Sequence, residues 1–434
     1  MLRIGFLLLL STLIVASARA EEPAPQDDAP NYADTLSGDW GGQRRALYRA
    51  GVATEITWKA DFMRAQGGSR NGSGKISNLD LKARVDLDKL LGWSAATAYL
   101  HVLDNRGRQF NARDVGSITG VSNIEVPAAT AKFFHAWVQQ SFMDERWSLL
   151  GGLYPVDSEF SGMDSAGLLV NPSYGASADF ALTRGPSIFN TSAFGLRLKW
   201  SAADRGSYVM GALLDGRPGD PNNPYGTHIR FDRGDGAFWI VEAGLLPRQD
   251  PPATPAAEDH GGNDGEFFSK LAFGLWRYTA HADDLVDVDA SGTPLRHISH
   301  GAYALAERTL YRLEADPARS LSGFARYSLT DGNSTPIRSA LNLGLRQRGL
   351  FAARKEDILS CGITIAQLSD KYRQVLSTAG SNPARGENTL ELAYRTSLTP
   401  WLSLQPGYQY ISHPGGSLNV PAVRVLGLRM EMAI

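Results

Sequence analysis

The chain has 434 residues, with 43 Lys and Arg against 45 Asp and Glu and a formal net charge of −2. That near balance, with both signs spread along the chain, excludes a nucleic-acid partner held by a basic surface. The one cysteine, Cys361, excludes an intramolecular disulfide, so the fold must hold without covalent staples.

The first twenty residues read as a removable secretion signal. Arg3 gives the positive start, residues 4–10 and 13–15 the apolar stretch, and Ala18-Arg19-Ala20 a small-residue cleavage site. Beyond residue 20 no uninterrupted apolar run approaches the roughly 20 residues that a spanning helix needs. Residues 21–51 are expected to form an N-terminal periplasmic segment. Its Pro-, Ala- and Asp-rich part, 21–37, is predicted to be disordered. Helix-favouring residues 43–50 before Gly51, a helix C-cap, predict a short helix near the periplasmic mouth.

From residue 52 to 434 the chain alternates apolar and polar in segments of about ten residues. Leu79, Leu81, Ala83, Val85 and Leu87 interleave with Asp80, Lys82, Arg84, Asp86 and Asp88. Phe194, Leu196, Leu198 and Trp200 interleave with Arg197 and Lys199, and Leu426, Leu428, Met430, Met432 and Ile434 with Arg429 and Glu431. Each such strand has one apolar and one charged face. A soluble sandwich alternates in the same way, but charges filling one face strand after strand, with aromatics near strand ends, favour a transmembrane barrel. A closed barrel also satisfies every backbone group inside a bilayer.

The segments fall near 52–64, 78–88, 94–103, 131–143, 146–154, 193–200, 207–214, 238–246, 270–280, 301–311, 321–330, 339–349, 357–367, 388–399, 401–412 and 423–434. Segments 131–143 and 146–154 alternate poorly. The fold class predicted is therefore all-β: an antiparallel up-and-down barrel of about 16 strands, the even count that bacterial single-chain barrels show. Short links at 89–93, 144–145, 201–206 and 400 suit periplasmic turns. Longer ones at 65–77, 104–130, 155–192, 215–237, 281–300, 368–387 and 413–422 suit extracellular loops. The acidic, Pro- and Gly-rich link 247–269 breaks this rule and reads as a flexible periplasmic insertion.

The residues also resemble a known family, the carbohydrate-selective OprB-type porins. The resemblance rests on Leu36-Ser37-Gly38-Asp39-Trp40-Gly41-Gly42 with Arg44, Leu47 and Gly51, and on Leu79-Asp80-Leu81 through Asp88, Leu90-Leu91-Gly92-Trp93. Ala136-Trp137 with Gln140-Ser141-Phe142, Asp157-Ser158-Glu159-Phe160, and Gly167-Leu168 with Asn171-Pro172-Ser173 continue it. It covers essentially the whole mature chain. It implies passive uptake of glucose-like monosaccharides into the periplasm of a Gram-negative cell, and a loop folded inward to constrict the pore, here 155–192. Ile434 departs from the aromatic that usually ends outer-membrane chains.

Sugars are neutral and rich in hydroxyls, so a pore favouring them needs hydrogen-bonding side chains and aromatic faces for their C–H surfaces. The inward-facing candidates are Lys82, Arg84, Asp86, Arg197, Lys199, Glu242, Arg326, Arg346, Arg348, Arg395 and Arg429, with Asp80 and Glu391 opposing the cations. In the constriction loop Asp157, Glu159, Asp164, Asn171, Tyr174, Asp179 and Arg184 supply polar groups, with Phe160 and Tyr174 as stacking faces. The same residues, taken one by one, would serve equally to solvate a wet lumen. The many arginines would also suit organic acids or other small anions, or a general diffusion channel.

An enzyme is not expected, since the chain has neither a G-x-S-x-G elbow nor an H-E-x-x-H motif. No cofactor is expected. Asp287, Asp289 and Ser291 copy the start of a calcium loop, but Ile298 stands where its closing Glu belongs, which favours an acidic turn. The partners expected are small sugars, outer-membrane lipid and lipopolysaccharide, and the outer-membrane assembly machinery. The sequence leaves monomer and homo-oligomer open.

Overall fold

In the computed structural model the every-other-residue pattern becomes sixteen antiparallel strands; the structure describes residues 29–247, 268–313 and 316–434. The strands are β1 (Val52–Gln66), β2 (Gly72–Asp86), β3 (Ala96–Gly107), β4 (Thr130–Phe142), β5 (Trp147–Tyr154), β6 (Ala193–Ser201), β7 (Ser207–Asp215) and β8 (Ala237–Leu245). They continue as β9 (Ser269–Val288), β10 (Pro294–Leu313), β11 (Asp316–Thr330), β12 (Ile337–Arg348), β13 (Ile358–Leu368), β14 (Gly386–Thr399), β15 (Leu402–Ser412) and β16 (Val423–Ala433). Each pairs with its sequence neighbours, and β1 closes on β16 from Thr57↔Ala433 to Gln66↔Arg424. Closure leaves no free edge around the barrel wall, while the far ends of β9 and β10 beyond it pair only with each other.

Every predicted strand is present. Outward positions are apolar and exposed, as Leu196 and Leu198 on β6 and Leu271, Phe273 and Leu275 on β9 illustrate, whereas Arg197 between the two leucines is buried inside. Cys361 also points outward, half-buried, opposite Leu345 and Leu392.

Strands run longer than expected in places, so that the loop expected at 65–77 shrinks to 67–71 between β1 and β2, and three local departures have clear causes. β2 ends at Asp86 because that carboxylate turns back to accept the N–H groups of Asp88 and Lys89 (3.0 and 3.2 Å), capping α2 (Leu87–Leu91). Asp86 is thus a helix cap at the turn and not a lumen residue. The stretch 281–300 is mostly strand: β9 and β10 run 20 residues each and meet in a five-residue turn. There Asp289 Oδ1 accepts from Ser291 N and Thr293 N, and Asp287 pairs with Lys371 at 2.8 Å. Those carboxylates serve a turn and an ion pair. Finally, segment 131–143 alternates poorly because β4 carries a bulge. His135 faces His101 but Phe133 faces Val102, leaving Phe134 as an extra residue turned inward.

The helix predicted near the mouth is α1 (Gln43–Arg49), ended by Gly51 at φ +96°, where a Cβ would lie 2.8 Å from the Asp86 carbonyl. The disorder predicted for 21–37 does not extend over 29–37. Tyr32 is buried, Leu36 N–H donates to Ala433 O at 2.8 Å, and Arg44 donates to Ile434 O and Thr54 O. The predicted signal, residues 21–28 and nearly all of the 247–269 insertion lie outside the described residues.

Candidate pore and its constriction

Two long connections turn back into the barrel. Irregular backbone inside a barrel lacks ladder partners, so its N–H and C=O groups need acceptors and donors from the wall. For residues 155–192 the wall supplies them. Glu242 on β8 accepts Ser161 N–H (2.8 Å), Glu307 on β10 accepts Ser165 N–H (2.6 Å), and Glu391 on β14 accepts those of Val170 and Asn171 (2.6 and 3.0 Å). Arg326 on β11, fully buried, donates to the carbonyls of Ser161 (2.7 Å), Gly175 (2.6 Å) and Ser173 and to Asn342 Oδ1 (3.0 Å). Burial pushes the Asp179 carboxyl in α3 (Ala178–Ala181) up, while Ser328 Oγ donates to it at 2.5 Å.

Residues 108–129, for which length was the only sequence signal, fold inward as well. Glu387 on β14 accepts Ile118 and Thr119 N–H (2.9 and 3.1 Å) and the Ser117 and Thr119 hydroxyls (2.6 and 2.8 Å). The two loops join where Asn123 N–H donates to Val170 O and Asn171 Nδ2 to Gly120 O, at 2.8 and 2.9 Å.

Between these polar anchors the inner wall beneath loop 155–192 is apolar. Met210, Leu214, Phe238, Ile240 and Trp276 all face inward and pack in one cluster with Phe160, Leu169, Tyr174 and Phe180 from the loop. Phe160 and Tyr174 are therefore packing residues, 1% and 4% exposed, and offer no open face to a solute. This corrects their reading as stacking surfaces. Gly362 on β13 makes the room: a Cβ there would approach Leu169 Cδ1 to 2.7 Å and collide with the Tyr174 hydroxyl.

The sequence candidates divide into two sets. Glu242, Arg197 and Arg326 are buried and engaged, and Arg429 is engaged and largely buried. Arg197 meets Glu159 at 2.8 and 3.0 Å and Gln139 at 2.6 Å, and Arg429 grips Asp61 at 2.7 and 2.8 Å. Arg346 lies 5.2 Å from the Phe268 ring centroid, and Arg348 pairs with Glu356. Arg184 binds the His281 and Gly234 carbonyls at the long-loop rim. Lys82, Arg84, Lys199, Arg395 and, on the loop, Asp164 keep exposure to the lumen. Lys82 pairs with Glu55 (2.7 Å), Arg395 with Glu431 (3.1 Å) and Lys59 with Asp80 (3.9 Å). Asp157 is half-buried at the loop's start, where burial pushes its carboxyl up to about 7 against a hydrogen bond at the Phe189 backbone. Glu125 in the second loop is likewise pushed up by burial to about 7, although Asn111 N–H donates to it.

Sequence reasoning missed a file of rings on the inner face of β3 and β4. Trp137 lies 5.3 Å from Tyr99, Tyr99 5.2 Å from His135, and His135 stacks on His101 at 5.4 Å. His101 continues to Phe134 (5.5 Å) and Phe134 to Phe189 of the loop (5.7 Å). Tyr99 and His101 on β3, and His135 and Trp137 on β4, keep period-two spacing, and the Phe134 bulge breaks it only just before His135. Asp80 holds His101 Nε2 at 2.8 Å and Arg197 holds Gln139, so hydrogen-bonding groups flank the file on both sides.

Comparison with known proteins agrees with this geometry. Residues 70–433 match the family described as carbohydrate-selective porin, OprB family. Porin B of Pseudomonas aeruginosa is 24% identical over 460 residues, covering 99% of this chain and 96% of its own length. OprB of Pseudomonas putida shares the fold. Its high-pH structure superimposes with a TM-score of 0.78 at 22% identity, covering 92% of this chain and 98% of that one. Its low-pH structure gives 0.58 at 18%, covering 93% and 100%. A sixteen-stranded barrel constricted from within, matched over residues 70–433, belongs to the carbohydrate-selective porins of the OprB family, proteins of the outer membrane.

Proposed function

We propose that the chain admits glucose-like monosaccharides to the periplasm by passive diffusion and carries out no catalysis. The observation that carries this reading is the ring file Trp137–Tyr99–His135, half-exposed and backed by the buried His101, set beside charges that are paired with one another. A pyranose has an apolar C–H face and an equatorial belt of hydroxyls. Rings in file accept the first, and flanking donors and acceptors exchange hydrogen bonds with the second. Because Lys82, Lys59 and Arg395 each meet a carboxylate, the wall offers both donors and acceptors with little net charge. Loops 155–192 and 108–129 set the width through which the solute passes.

The surrounding biology follows from the same reading. Residues 1–20 are removed on export, 21–51 form the periplasmic segment, and 52–434 are the barrel, inserted by the outer-membrane assembly machinery of a Gram-negative cell. Osmotic swelling of proteoliposomes tests the proposal. Monosaccharides should enter several-fold faster than disaccharides, and equal rates for both would oppose it. A second reading, small-anion preference, draws on the lumenal cations Arg84 and Lys199. A large chloride-selective reversal potential together with no response to glucose would favour it over the first.

A further inference from the structure

At the long-loop end, three cations stand together on the outside of the barrel. Arg64 on β1, Lys75 on β2 and Arg424 on β16 are exposed, while the residues flanking them in sequence and facing inward, Met63, Ala65, Ile76, Val423 and Val425, are buried. Alternation therefore fixes all three outward. The register makes them neighbours: Gln66 faces Arg424, Arg64 faces Leu426 and Ser73, and Phe62 faces Lys75. Each of the other two cations is thus diagonal to Arg64, about 7–8 Å away backbone to backbone.

Among the described residues nothing balances them. None of the three has a hydrogen bond or ion pair to a described residue; Lys75 Nζ only lies 5.5 Å from the Phe62 ring centroid. The outward positions of β15, β16, β1 and β2 carry no carboxylate. Of the acids nearby, Asp104 on β3 is held by Arg106 at 2.8 Å, and Asp114 is buried and taken by Arg70 and Arg113. Arg424 and Lys75 stand on opposite sides of Arg64, two strands apart, so Arg64 repels both at the diagonal spacing, and an anion beside it relieves that repulsion.

Their position says what carries the anion. Going away from the loop end on the same outward face, Phe62 follows Arg64 on β1 and Leu426 and Leu428 follow Arg424 on β16, all exposed and apolar, while Lys75 stands opposite Phe62, and Tyr410 faces Arg424 across β15 and β16. This is the upper border of the membrane-facing belt, where an aromatic girdle meets lipid headgroups. A free phosphate would use only the cations. A phosphorylated lipid would use both the cations and the apolar floor.

We propose that Arg64, Lys75 and Arg424 form a binding site for the phosphate groups of an outer-leaflet glycolipid, its acyl chains lying on Phe62, Leu426 and Leu428. The site rests on the long-loop end facing outward from the cell, and it is separate from the pore. Long basic side chains can snorkel from an apolar surface to phosphates, and charge-assisted hydrogen bonds to them are strong.

The test uses the full mature chain in detergent micelles, with diphosphoryl lipid A, phosphatidylethanolamine and inorganic phosphate as probes. Bound lipid is read by native mass spectrometry. The wild type should hold lipid A at least about tenfold more tightly than phosphatidylethanolamine, and R64Q/K75Q/R424Q should lose about tenfold in lipid A affinity. Arg277→Gln, at an exposed outward site on β9, should retain it. Glucose swelling rates should be equal in the wild type and the triple variant, so a defect in the pore cannot pass for a defect in this site. Undiminished lipid A binding by the triple variant would overturn the proposal. So would displacement of lipid A by inorganic phosphate at a matching concentration, which would assign the cations to a free anion.

Discussion

Asp61 on β1 and Arg429 on β16 form a two-pronged ion pair, at 2.7 and 2.8 Å, across the seam where the first strand meets the last. Asp61 also accepts the Ser122 hydroxyl at 2.6 Å, and Arg429 donates to Asn123 Oδ1 at 2.7 Å. One pair thus joins barrel closure to the second inward loop. Removing one partner leaves the other charge buried without compensation, which costs about 3–5 kcal/mol. Arg429→Leu should therefore lower the temperature at which the folded band is lost on semi-native gels by many degrees. The double change with Asp61→Leu should recover much of that loss.

Arg326 holds three loop carbonyls at once, so its loss should free loop 155–192 more than it harms the barrel. Arg326→Leu is expected to raise mean single-channel conductance by about twofold and to add flicker, since unmet carbonyls inside the lumen draw water. An unchanged, quiet conductance would mean that the loop is held by its apolar contacts alone.

Gly362 tests that apolar contribution. Overfilling a packed site costs about 1–3 kcal/mol, so Gly362→Val should displace Tyr174 and destabilise the folded barrel by that amount. Gly211 on β7 is the control, because a Cβ there meets Ile240 O and Val241 Cγ2 at an ordinary 3.5 Å. Gly211→Ala should leave the unfolding midpoint unchanged within experimental scatter.

Asp157 and Glu125 predict a pH dependence of loop anchorage. Asp157 rises from 3.8 to about 7 in the folded loop, and Glu125 from 4.5 to about 7. Between those limits the anchored loop binds more protons than a released one, so anchoring is favoured at low pH and weakens as pH rises through about 7. Conductance fluctuations should grow from pH 5 to pH 8. Asp157→Asn, which cannot ionise, should flatten much of that rise when the two pH values are compared by noise analysis.

The strands were legible because lipid imposes period two on every outward face, as at Leu196, Leu198, Leu426 and Leu428. Inward faces carry no such uniform demand. Where a loop covers them they are either apolar, as at Phe238 and Trp276, or charged groups that hold loop backbone, as at Glu242 and Arg326; where water reaches they are charged, as at Lys82 and Arg395. Sequence alone could not tell the two apart. That is why Phe160 and Tyr174 read as stacking faces, and why Glu242 and Arg326 read as open pore groups when they hold loop backbone. The contact of Glu387 with Thr119 spans 268 residues and leaves no local trace. Phe134 shows a limit at short range, since one inserted residue breaks the alternation of β4 just before the ring file.

The most direct measurement is sugar-induced block of single-channel current in the wild type and in Tyr99→Ala/Trp137→Ala. Stacking contacts worth about 0.5–1.5 kcal/mol each predict that the double change raises the half-blocking glucose concentration by roughly five- to a hundredfold, with ion conductance kept. Identical glucose block in both proteins would contradict the account.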